Sequence, residues 1–526
     1  MFLLADGVRF GEPRPHLIVN LRRTGYSEVT DVVPRGDVVD LREAWMLVTT
    51  GENHVSVQPA PSWHDCGTVR TLPHHSRILQ KARNLWNRGG GDLQKARNLQ
   101  NRAPLLRFCA QGAKGQNSHV RFERAFVPYG AYWSTPFVRW QGSLAQSDPV
   151  KLAADVASRA LDERGIEPAA FDSLFYGMTV PSPHSFYAAP WVAGMIGNPD
   201  ISGPTIMQAC ATSARVIGQA AGEVEADRGQ RCILGIAADR TSNGPHIYYP
   251  DASGPGGRGT TEDWVWDNFQ RDPYADASPT VTAENVAREQ GISREEQDEV
   301  TLIRYEQYIA DRRDGGSFHR RYMLAPLEVR DPTGRKMIAT VDGDEGITPT
   351  TAEGLARLKP VQEGGSVTYG SQTHPADGNC AMVLAGRERA RELSRDSGIE
   401  VQVLSYAQSR AKPAHMPMAP VPAAQRALDD AGLRIYDLTA IKTHNPFAVN
   451  DIYFSRCFDV ALDAFNNHGS SLIYGHPQGP TGMRLIIELI EELADRGGGY
   501  GLFTGCAAGD TGGAVVVKVD AAGGRR

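Results

Sequence analysis

The sequence predicts an α/β layered fold for most of its 526 residues, and three observations support this. Helical and strand-like segments alternate from Arg121 onward. Short apolar runs between glycine, proline or polar residues are typical of strands, and helical patterns separate them. The chain is also too long for one simple core, which indicates several lobes. The strand-like runs are 232–237, 381–385, 500–504 and 514–519.

Three helices are marked by their ends as well as by their apolar residues. Asp148 and Pro149 form an N-cap and first-turn pair, and Gly165 ends the helix that follows. Ser293 and Glu296 form a capping box that opens a second helix. A third helix carries an apolar stripe and ends before a run of glycines. The stripe comprises Leu485, Ile486, Leu489, Ile490 and Leu493.

The first 120 residues differ in character from the rest. Between Arg70 and Lys114 the chain has ten Lys or Arg residues against the single acid Asp92, and LQKARNL occurs twice, from Leu79 and from Leu93. One interpretation of such a segment is a basic arm that binds nucleic acid or an acidic partner. The other is an amino-terminal extension that is disordered or wrongly assigned to the protein. Because it lacks the interleaved aromatic residues of a nucleic-acid platform, we favour an extension without function and expect no nucleic-acid partner.

The bulk composition excludes several classes of protein. The net charge is −6, and no apolar run approaches the roughly twenty residues that a membrane span needs. The start, MFLLADGVRF, lacks the basic segment and the cleavage site of a secretory signal, so we expect a soluble, cytoplasmic protein without a membrane partner. The seven cysteines include no CxxC pair, which argues against a disulfide framework or a zinc knuckle.

Cys210 is the first candidate site residue. In PTIMQACATSA a short apolar strand runs into small residues and then into a helix rich in Ala and Gly, which places the thiol at or near a helix N-terminus. Unpaired N–H groups there favour the reactive thiolate, and small neighbours admit a substrate. An inert buried thiol fits the local sequence equally well, since free cysteine is among the most buried residue types.

Three further residues stand in positions suited to chemistry. His476 lies in YGHPQGPTG, a tight loop before a helix, where it is able to take the proton of a cysteine thiol. Cys506 lies in the glycine-rich turn FTGCAAGDTGG, and His444 follows the strand-like LTAIK. A packed core histidine or an incidental thiol is the plainer alternative for each. Two cysteines and two histidines formally offer a zinc site, but no two lie close in sequence, so we favour a nucleophile, a base and an oxyanion donor.

Residues 122–519 resemble the thiolase family. The GHPxGxxG element around His476 is the most recognisable signature of that family. The other matching segments follow in the family's order and at its separations. The full set is STPFVRWQGSL, QACATS, TAENVAREQGISREEQD, the Asp377-Gly378 pair, the GHPxGxxG element and the Cys506 turn.

The resemblance implies a role for each candidate. In thiolases one cysteine is acylated, the histidine of GHP activates it, and a second cysteine moves the proton at the α-carbon of the acetyl unit. By position these are Cys210, His476 and Cys506. His444 with His476 would hold the enolate oxygen, directly or through a water. The backbone N–H groups of Cys210 and Ala508 would serve the oxyanion of the acyl-transfer step.

Three departures from the family pattern leave substrate choice open. Most thiolases have Asn-Glu-Ala-Phe or His-Glu-Ala-Phe where this chain has His444-Asn-Pro-Phe, so the acid after the donor is changed. The usual Cys-x-Gly is here Cys506-Ala-Ala508, and we expect the added Cβ to strain the turn. The loop that carries a serine near coenzyme A in thiolases has Thr373 and His374, which we expect to contact coenzyme A.

The resemblance further implies five layers in the order αβαβα, formed by two similar halves with an inserted loop lobe. We expect an extension at 1–120, an N-terminal half at 121–241 together with 370–397, and a C-terminal half at 398–526. The segment 242–369, rich in Gly, Pro, Asp and Trp at its start, would be the inserted lobe, acting as a lid or substrate-binding lobe.

The implied reaction is cleavage of a 3-ketoacyl-CoA with coenzyme A, or condensation of an acyl-CoA with acetyl-CoA, by a homodimer or homotetramer. Coenzyme A is then a substrate, and neither a bound cofactor nor a metal is implied. A ketoacyl synthase would also use a cysteine and two histidines, but it would not need Cys506. A divergent thiolase-like protein that has lost catalysis and binds acyl-CoA or lipid is the other alternative. The presence of both cysteines and both histidines favours catalysis.

Overall fold

The computed structural model describes residues 121–521 together with the backbone of two earlier strands, β1 (His16–Leu21) and β2 (Val29–Pro34). These two strands pair antiparallel, with His16 opposite Pro34. The rest of the first 120 residues lies outside the described residues, so the expectation of an extension without function stays a prediction.

The elements of 121–521 alternate between strand and helix, as the sequence predicts. The strands are β3 (Phe126–Val127), β4 (Tyr132–Ser134), β5 (Val138–Arg139), β6 (Ser173–Gly177), β7 (Thr205–Ile206), β8 (Cys232–Arg240), β9 (His246–Tyr249), β10 (Thr260–Asp263), β11 (Leu327–Arg330), β12 (Met337–Val341), β13 (Ala376–Ala385), β14 (Ile399–Arg410), β15 (Leu438–His444), β16 (Gly498–Ala507) and β17 (Thr511–Ala521). The helices are α1 (Pro149–Arg164), α2 (Ala188–Met195), α3 (Thr212–Ala226), α4 (Trp266–Gln270), α5 (Pro279–Gln290), α6 (Arg294–Arg313), α7 (Ala352–Ala356), α8 (Arg387–Glu392), α9 (Pro420–Ala431), α10 (Ala448–Phe458), α11 (Ser471–Tyr474) and α12 (Thr481–Asp495).

One large sheet contains two groups of strands with the same topology. In the first group β4 pairs with β13, β13 with β8, and β8 with β6. In the second, β14 pairs with β17, β17 with β16, and β16 with β15. Each group therefore has the order first, fourth, third, second, with its second and third strands parallel. The short strand β3 pairs with both β13 and β14 and joins the groups. The expected similarity of the two halves is confirmed.

Helices cover both faces of each group of strands. α1 packs on β8 and β13, α2 packs on β6, and α9 packs on β14, β16 and β17. Between the two groups, α3 and α12 pack against each other and against strands of both halves. β8 shows how the layers form: Leu234 and Ile236 face the cluster under α1, while Ile233 and Ala237 face the central cluster.

The predicted helix ends are confirmed. Asp148 accepts hydrogen bonds from the backbone N–H groups of Val150 and Lys151, and Gly165 ends α1 with φ of 62°. The capping box between Ser293 and Glu296 opens α6.

The third helix, α12, differs from its predicted amphipathic pattern, because it is buried on every side as far as Leu493. Its charged residues have buried partners: Arg484 donates to Asp344 at 2.7 and 2.8 Å and to Glu488 at 3.0 Å. Pairing makes the burial of these charges tolerable.

The inserted segment holds the hairpins β9–β10 and β11–β12 and the helices α4 to α7. Its helix α6 packs on α10 and α11, and Arg304 of α6 donates to Asp451 of α10 at 2.8 Å. The lobe thus buttresses the C-terminal elements that follow β15. The division of the chain at 242, 370 and 398 remains our proposal. Within the described ranges, no helix is long and apolar enough to cross a bilayer.

Candidate active site

Cys210 lies in a single 3₁₀ turn, Ala209–Ala211, between β7 and α3. Ala209 has φ of 43°, a left-handed conformation that strains the backbone beside the thiol. The Thr212 hydroxyl holds the turn, because it accepts from the N–H of Gln208 at 2.8 Å and donates to the carbonyl of Ala209 at 2.7 Å. The thiol therefore lies at the N-terminus of α3, as expected, and the residue keeps part of its surface accessible.

His444 and His476 bring their rings next to this thiol. His444 is the last residue of β15, and His476 lies in the loop between α11 and α12. Their ring centroids are 4.1 Å apart with an interplanar angle of 37°. The Cys210 sulfur and one nitrogen of each ring all lie within 4.8 Å of one another. Three of the four candidates from distant parts of the sequence thus meet.

The Nδ1 atom of each imidazole forms a hydrogen bond with a hydroxyl group. Nδ1 of His476 lies 2.7 Å from the Thr481 hydroxyl, whose own proton goes to a backbone carbonyl at 2.6 Å. Nδ1 of His444 lies 2.9 Å from the Ser471 hydroxyl, which donates to Oδ1 of Asn445 at 3.2 Å. With both hydroxyl protons committed, each ring donates from Nδ1 and keeps a lone pair on Nε2. Both Nε2 atoms are buried without a protein partner.

Burial sets the protonation states of the site. It lowers the pKa of His444 to about 3, and burial followed by the neighbouring His444 lowers the pKa of His476 well below its ordinary value. Burial raises the pKa of Cys210 to about 12, although the backbone N–H groups of Ala508 and Cys210 itself act in the opposite direction. The resting site is therefore a thiol beside two neutral imidazoles. An ion pair would arise only when the thiol proton moves to a ring.

Cys506, near the end of β16, is fully buried beside this cluster. Burial, followed by the charge of Cys210, raises its pKa well above the ordinary value. The side-chain amide of Asn450, in the first turn of α10, donates to its sulfur at 3.3 Å and stabilises the thiolate. Asn450 is not recognisable from the sequence, because an asparagine inside a helical pattern carries no motif.

The turn between β16 and β17 presents the N–H of Ala508 to the Cys210 sulfur. The left-handed residues of this turn are Gly509, with φ of 79°, and Asp510, with φ of 57°; Ala508 is not one of them. The expectation that the Cβ of Ala508 strains the turn is therefore wrong. The Asp510 carboxylate fixes the turn by accepting two backbone N–H groups from the loop after β14, each at 2.8 Å.

The changed residue after His444 has its own partners. The amide of Asn445 donates to Asp451 at 2.6 Å and accepts from the N–H of Leu472 at 3.3 Å. Asp451 also accepts from Arg304 at 2.8 Å and from Thr443 at 2.6 Å. The Asp451 carboxylate of α10 thus supports the end of β15. Thiolases usually have an acid in the motif itself, directly after the residue that corresponds to His444.

Thr373 and His374 lie between the two histidine loops. The Thr373 hydroxyl donates to the carbonyl of Ser471, and its N–H donates to the carbonyl of Pro446 at 2.7 Å. The carbonyl of His374 accepts the N–H of His476 at 2.9 Å. These bonds fix the loops that carry the catalytic candidates, while contact of either side chain with coenzyme A stays a prediction.

Asp239, near the end of β8, is a second residue of the site that is not recognisable from the sequence. Its buried carboxylate accepts from the N–H and hydroxyl of Thr179 at 2.7 and 2.8 Å and from the N–H of Val180 at 3.0 Å. It also accepts from the N–H of Gly479 at 2.6 Å. The carboxylate thus ties the His476 loop to the loop after β6. A lone acid after a strand offers no local signal of such a role.

We expect Asp239→Asn to lower kcat by about 10-fold or more, because the amide leaves at least one of the buried N–H or O–H donors unpaired and lets the His476 loop shift. Steady-state kinetics would give kcat and KM, and thermal unfolding would show whether the fold persists. Asp520→Asn, an exposed change on β17, is the control. An unchanged kcat in Asp239→Asn would show that this carboxylate does not position His476.

We expect Gly475→Ala to lose at least about 10-fold in activity and about 1–3 kcal/mol in the free energy of unfolding. Gly475 has φ of 88°, and a Cβ there would lie 2.5 Å from Cε1 of His374. Gly165→Ala is a matched control, since Gly165 has φ of 62° but nothing within 4 Å of the added carbon. If both variants keep the same activity, the geometry at Gly475 is not what places His476.

Comparison with known proteins agrees with this fold. The family model of the thiolase N-terminal domain matches residues 131–388, and that of the thiolase C-terminal domain matches residues 398–519. An acetyl-CoA acetyltransferase of Syntrophomonas wolfei is 29% identical over 396 residues, which cover 73% of this chain and 96% of that protein. The human mitochondrial 3-ketoacyl-CoA thiolase is 29% identical over 390 residues, with coverage of 73% and 96%.

Solved structures give the same result. The human mitochondrial 3-ketoacyl-CoA thiolase in complex with CoA has a TM-score of 0.69 at 28% identity, and the match covers 76% of this chain and 100% of that chain. The acetyl-CoA acetyltransferase of Bacillus anthracis has a TM-score of 0.69 at 26% identity, with coverage of 76% and 99%. The expected thiolase-like α/β fold is confirmed. Both domain models match in their proper order, and the chain belongs to the thiolase family.

Proposed function

We propose that this thiolase-type acyltransferase acts on coenzyme A thioesters, and that Cys210 carries the acyl group. It would cleave a 3-ketoacyl-CoA with coenzyme A, or condense an acyl-CoA with acetyl-CoA. The observation that carries the proposal is the meeting of the Cys210 sulfur with nitrogens of His444 and His476 within 4.8 Å. The relatives named as acetyl-CoA acetyltransferase and 3-ketoacyl-CoA thiolase support this class of substrate.

The first step is activation of Cys210. Its proton passes to the lone pair on Nε2 of His476, and the ring keeps its Nδ1–H bond to Thr481 throughout. The thiolate then attacks the keto carbon of the substrate. Negative charge that develops on a carbonyl oxygen here meets the backbone N–H groups of Cys210 and Ala508. Such prearranged donors typically contribute about 10²–10³-fold each.

The second step breaks the carbon–carbon bond. The electron pair of that bond passes to the departing acetyl-CoA unit as an enolate, and the acyl group stays on Cys210 as a thioester. The Cys506 thiol gives its proton to the α-carbon, and its thiolate is stabilised by the Asn450 amide. The imidazole that took the thiol proton now has an Nε2–H to donate to the enolate oxygen. The protonated His476 ring thus becomes a donor when negative charge develops, while His444 keeps the lone pair on its Nε2 and would act on the enolate oxygen through a water.

The third step releases the product. The thiol of a second coenzyme A gives its proton to the Cys506 thiolate and attacks the Cys210 thioester. The carbon–sulfur bond to Cys210 breaks, the acyl group leaves as acyl-CoA, and the Cys210 sulfur takes back its proton from His476. Condensation follows the same steps in reverse. Every step is a proton transfer, a nucleophilic addition or an elimination, so no atom changes oxidation state by an external redox partner and the steps need no added oxidant or reductant.

A test uses the full chain with acetoacetyl-CoA and longer 3-ketoacyl-CoAs plus coenzyme A. We expect cleavage by the wild type and an acyl adduct on Cys210 by intact-protein mass spectrometry, while Cys210→Ala should lose about 10⁴-fold or more. Cys232→Ala removes a buried thiol of β8 and is the control. Binding of acyl-CoA without cleavage or adduct would favour the alternative of a non-catalytic acyl-CoA or lipid-binding protein.

We also propose a homodimer or homotetramer. β7, the strand that leads to Cys210, forms one edge of the sheet, and its neighbour Met207 is 48% exposed. An open edge beside exposed apolar side chains is a common pairing surface. Light scattering on the full chain tests this, and a monomer would contradict it. A cytoplasmic location and the lack of a bound cofactor remain predictions.

A further inference from the structure

The cluster of Cys210, His444 and His476 offers one sulfur and two nitrogens within 4.8 Å of one another. Zinc binds thiolate sulfur at about 2.3 Å and imidazole nitrogen at about 2.0 Å, so ligand atoms around one tetrahedral ion lie roughly 3.3–3.6 Å apart. The widest separation among the three donors therefore needs to shorten by at most roughly 1.2–1.5 Å. The Cys210 residue is partly accessible, and rotation about its Cα–Cβ bond would move the sulfur by a distance of that size.

The two histidines are also oriented as metal ligands are. Nε2 of His444 and Nε2 of His476 are buried without a protein partner, and the rings are 1% and 5% exposed. Each Nδ1 is held by a hydroxyl group, at 2.9 Å from Ser471 and at 2.7 Å from Thr481. Metal-ligating histidines commonly have their other nitrogen fixed in this way, because the bond sets the tautomer and the ring orientation.

The donor types select among metal ions. The cluster contains a thiol and two imidazoles and no carboxylate. Such a set favours zinc and its borderline-soft analogues cobalt(II) and cadmium over magnesium or calcium, which prefer oxygen ligands. With three protein ligands, one coordination position is left for water. The long separations in sequence argued against a zinc site, but the ends of β15 and the loops before α3 and α12 bring the ligands together.

We propose that these residues form a site for a zinc-like divalent cation, and that its occupation blocks the enzyme. The two neutral imidazoles bind through Nε2, the Cys210 thiol releases its proton to solvent, and a sulfur–metal bond forms as the ion sheds water. No electron is transferred. Because the bound sulfur is the acyl-carrying nucleophile, the cation and acyl-CoA compete for the same atom. The metal site itself depends only on the three side chains, and its formation is measurable whether or not the proposed reaction occurs.

Cobalt(II) is the probe, added to the full chain in the absence of substrate. We expect one ion per chain at this site, with a sulfur-to-cobalt charge-transfer band and the visible bands of a four-coordinate ion, and both should disappear when zinc is added. Cys210→Ala should lose the charge-transfer band. His444→Asn and His476→Asn should each weaken cobalt binding by at least about 10-fold. Cys232→Ala should keep the full spectrum.

Each outcome decides for or against the site. A charge-transfer band that persists in Cys210→Ala places the ion on another cysteine and overturns the proposal. So does a four-coordinate spectrum whose strength is the same in wild type and in both histidine variants. Circular dichroism of each variant separates loss of ligand from loss of fold. If acyl transfer is measurable, zinc should inhibit it competitively with acyl-CoA, and a chelator should restore it.

Discussion

His476→Asn is expected to lower the rate of Cys210 acylation by about 10³-fold, within the range that a positioned general base contributes. The asparagine amide is able to keep a donor where Nδ1 of His476 contacts Thr481, so the loop retains its bond. What it lacks is the Nε2 lone pair that accepts the thiol proton. The rate is measured as the appearance of the acyl adduct in single-turnover mass spectrometry.

His415→Asn is the control for this change, since the His415 side chain lies outside the site with its Nδ1 2.8 Å from a backbone carbonyl, and the substitution leaves its backbone N–H bond to Asp510 in place. It should acylate at the wild-type rate. Acylation of His476→Asn at the wild-type rate would show that His476 is not the base; His444, with its own free Nε2, would then be the next residue to change.

Cys506→Ala should separate the two halves of the reaction. We expect carbon–carbon bond cleavage to fall by about 10²–10⁴-fold, because the proton at the α-carbon loses its carrier. Exchange of label between an acyl-CoA and free coenzyme A needs only Cys210 and its base, and should change much less. The exchange of α-hydrogens of acetyl-CoA with deuterated water gives a third measurement, which needs Cys506 but does not need acylation of Cys210.

Asn450→Ala is an informative companion to Cys506→Ala. It removes the amide that donates to the Cys506 sulfur at 3.3 Å, and should slow deuterium exchange while label exchange persists. If Cys506→Ala exchanges α-hydrogens as fast as the wild type, another group carries that proton. If Cys506→Ala lost cleavage and label exchange to the same extent, the assignment of acyl transfer to Cys210 and of α-carbon proton transfer to Cys506 would also be wrong.

The sequence predicts those parts of the structure that depend on neighbouring residues. The ends of α1 follow from Asp148 and Gly165, whose capping bonds are local. Three of the four catalytic candidates could be named because each lies in a glycine-rich or helix-initiating segment. His444 follows a strand-like run instead, and the order of all four matches one family. The local sequence around Cys210, taken by itself, does not distinguish a reactive thiol from an inert buried one, since its neighbours are compatible with both.

The sequence does not reveal features that depend on distant partners. The role of Asp239 in supporting the His476 loop is evident only from the folded structure, in which the N–H of Gly479 donates to the Asp239 carboxylate at 2.6 Å. α12 has the pattern of a half-exposed helix, yet Arg484 is neutralised by Asp344, a residue of the inserted lobe. The prediction of strain at Ala508 is wrong for a related reason. The change from glycine to alanine in the motif does not show which residue of the turn has a positive φ.

The repeated topology also bears on how such a site originates. Cys210 and His476 occupy equivalent places, each in the loop before the central helix of its own half. Asp239 and Cys506 are equivalent as well: both lie near the end of the third strand, opposite Gly378 and Gly512 of the fourth. A duplicated ancestor would have carried two identical sets of these positions. In this chain the first half supplies the proposed nucleophile and a structural carboxylate, and the second half supplies the proposed proton carriers.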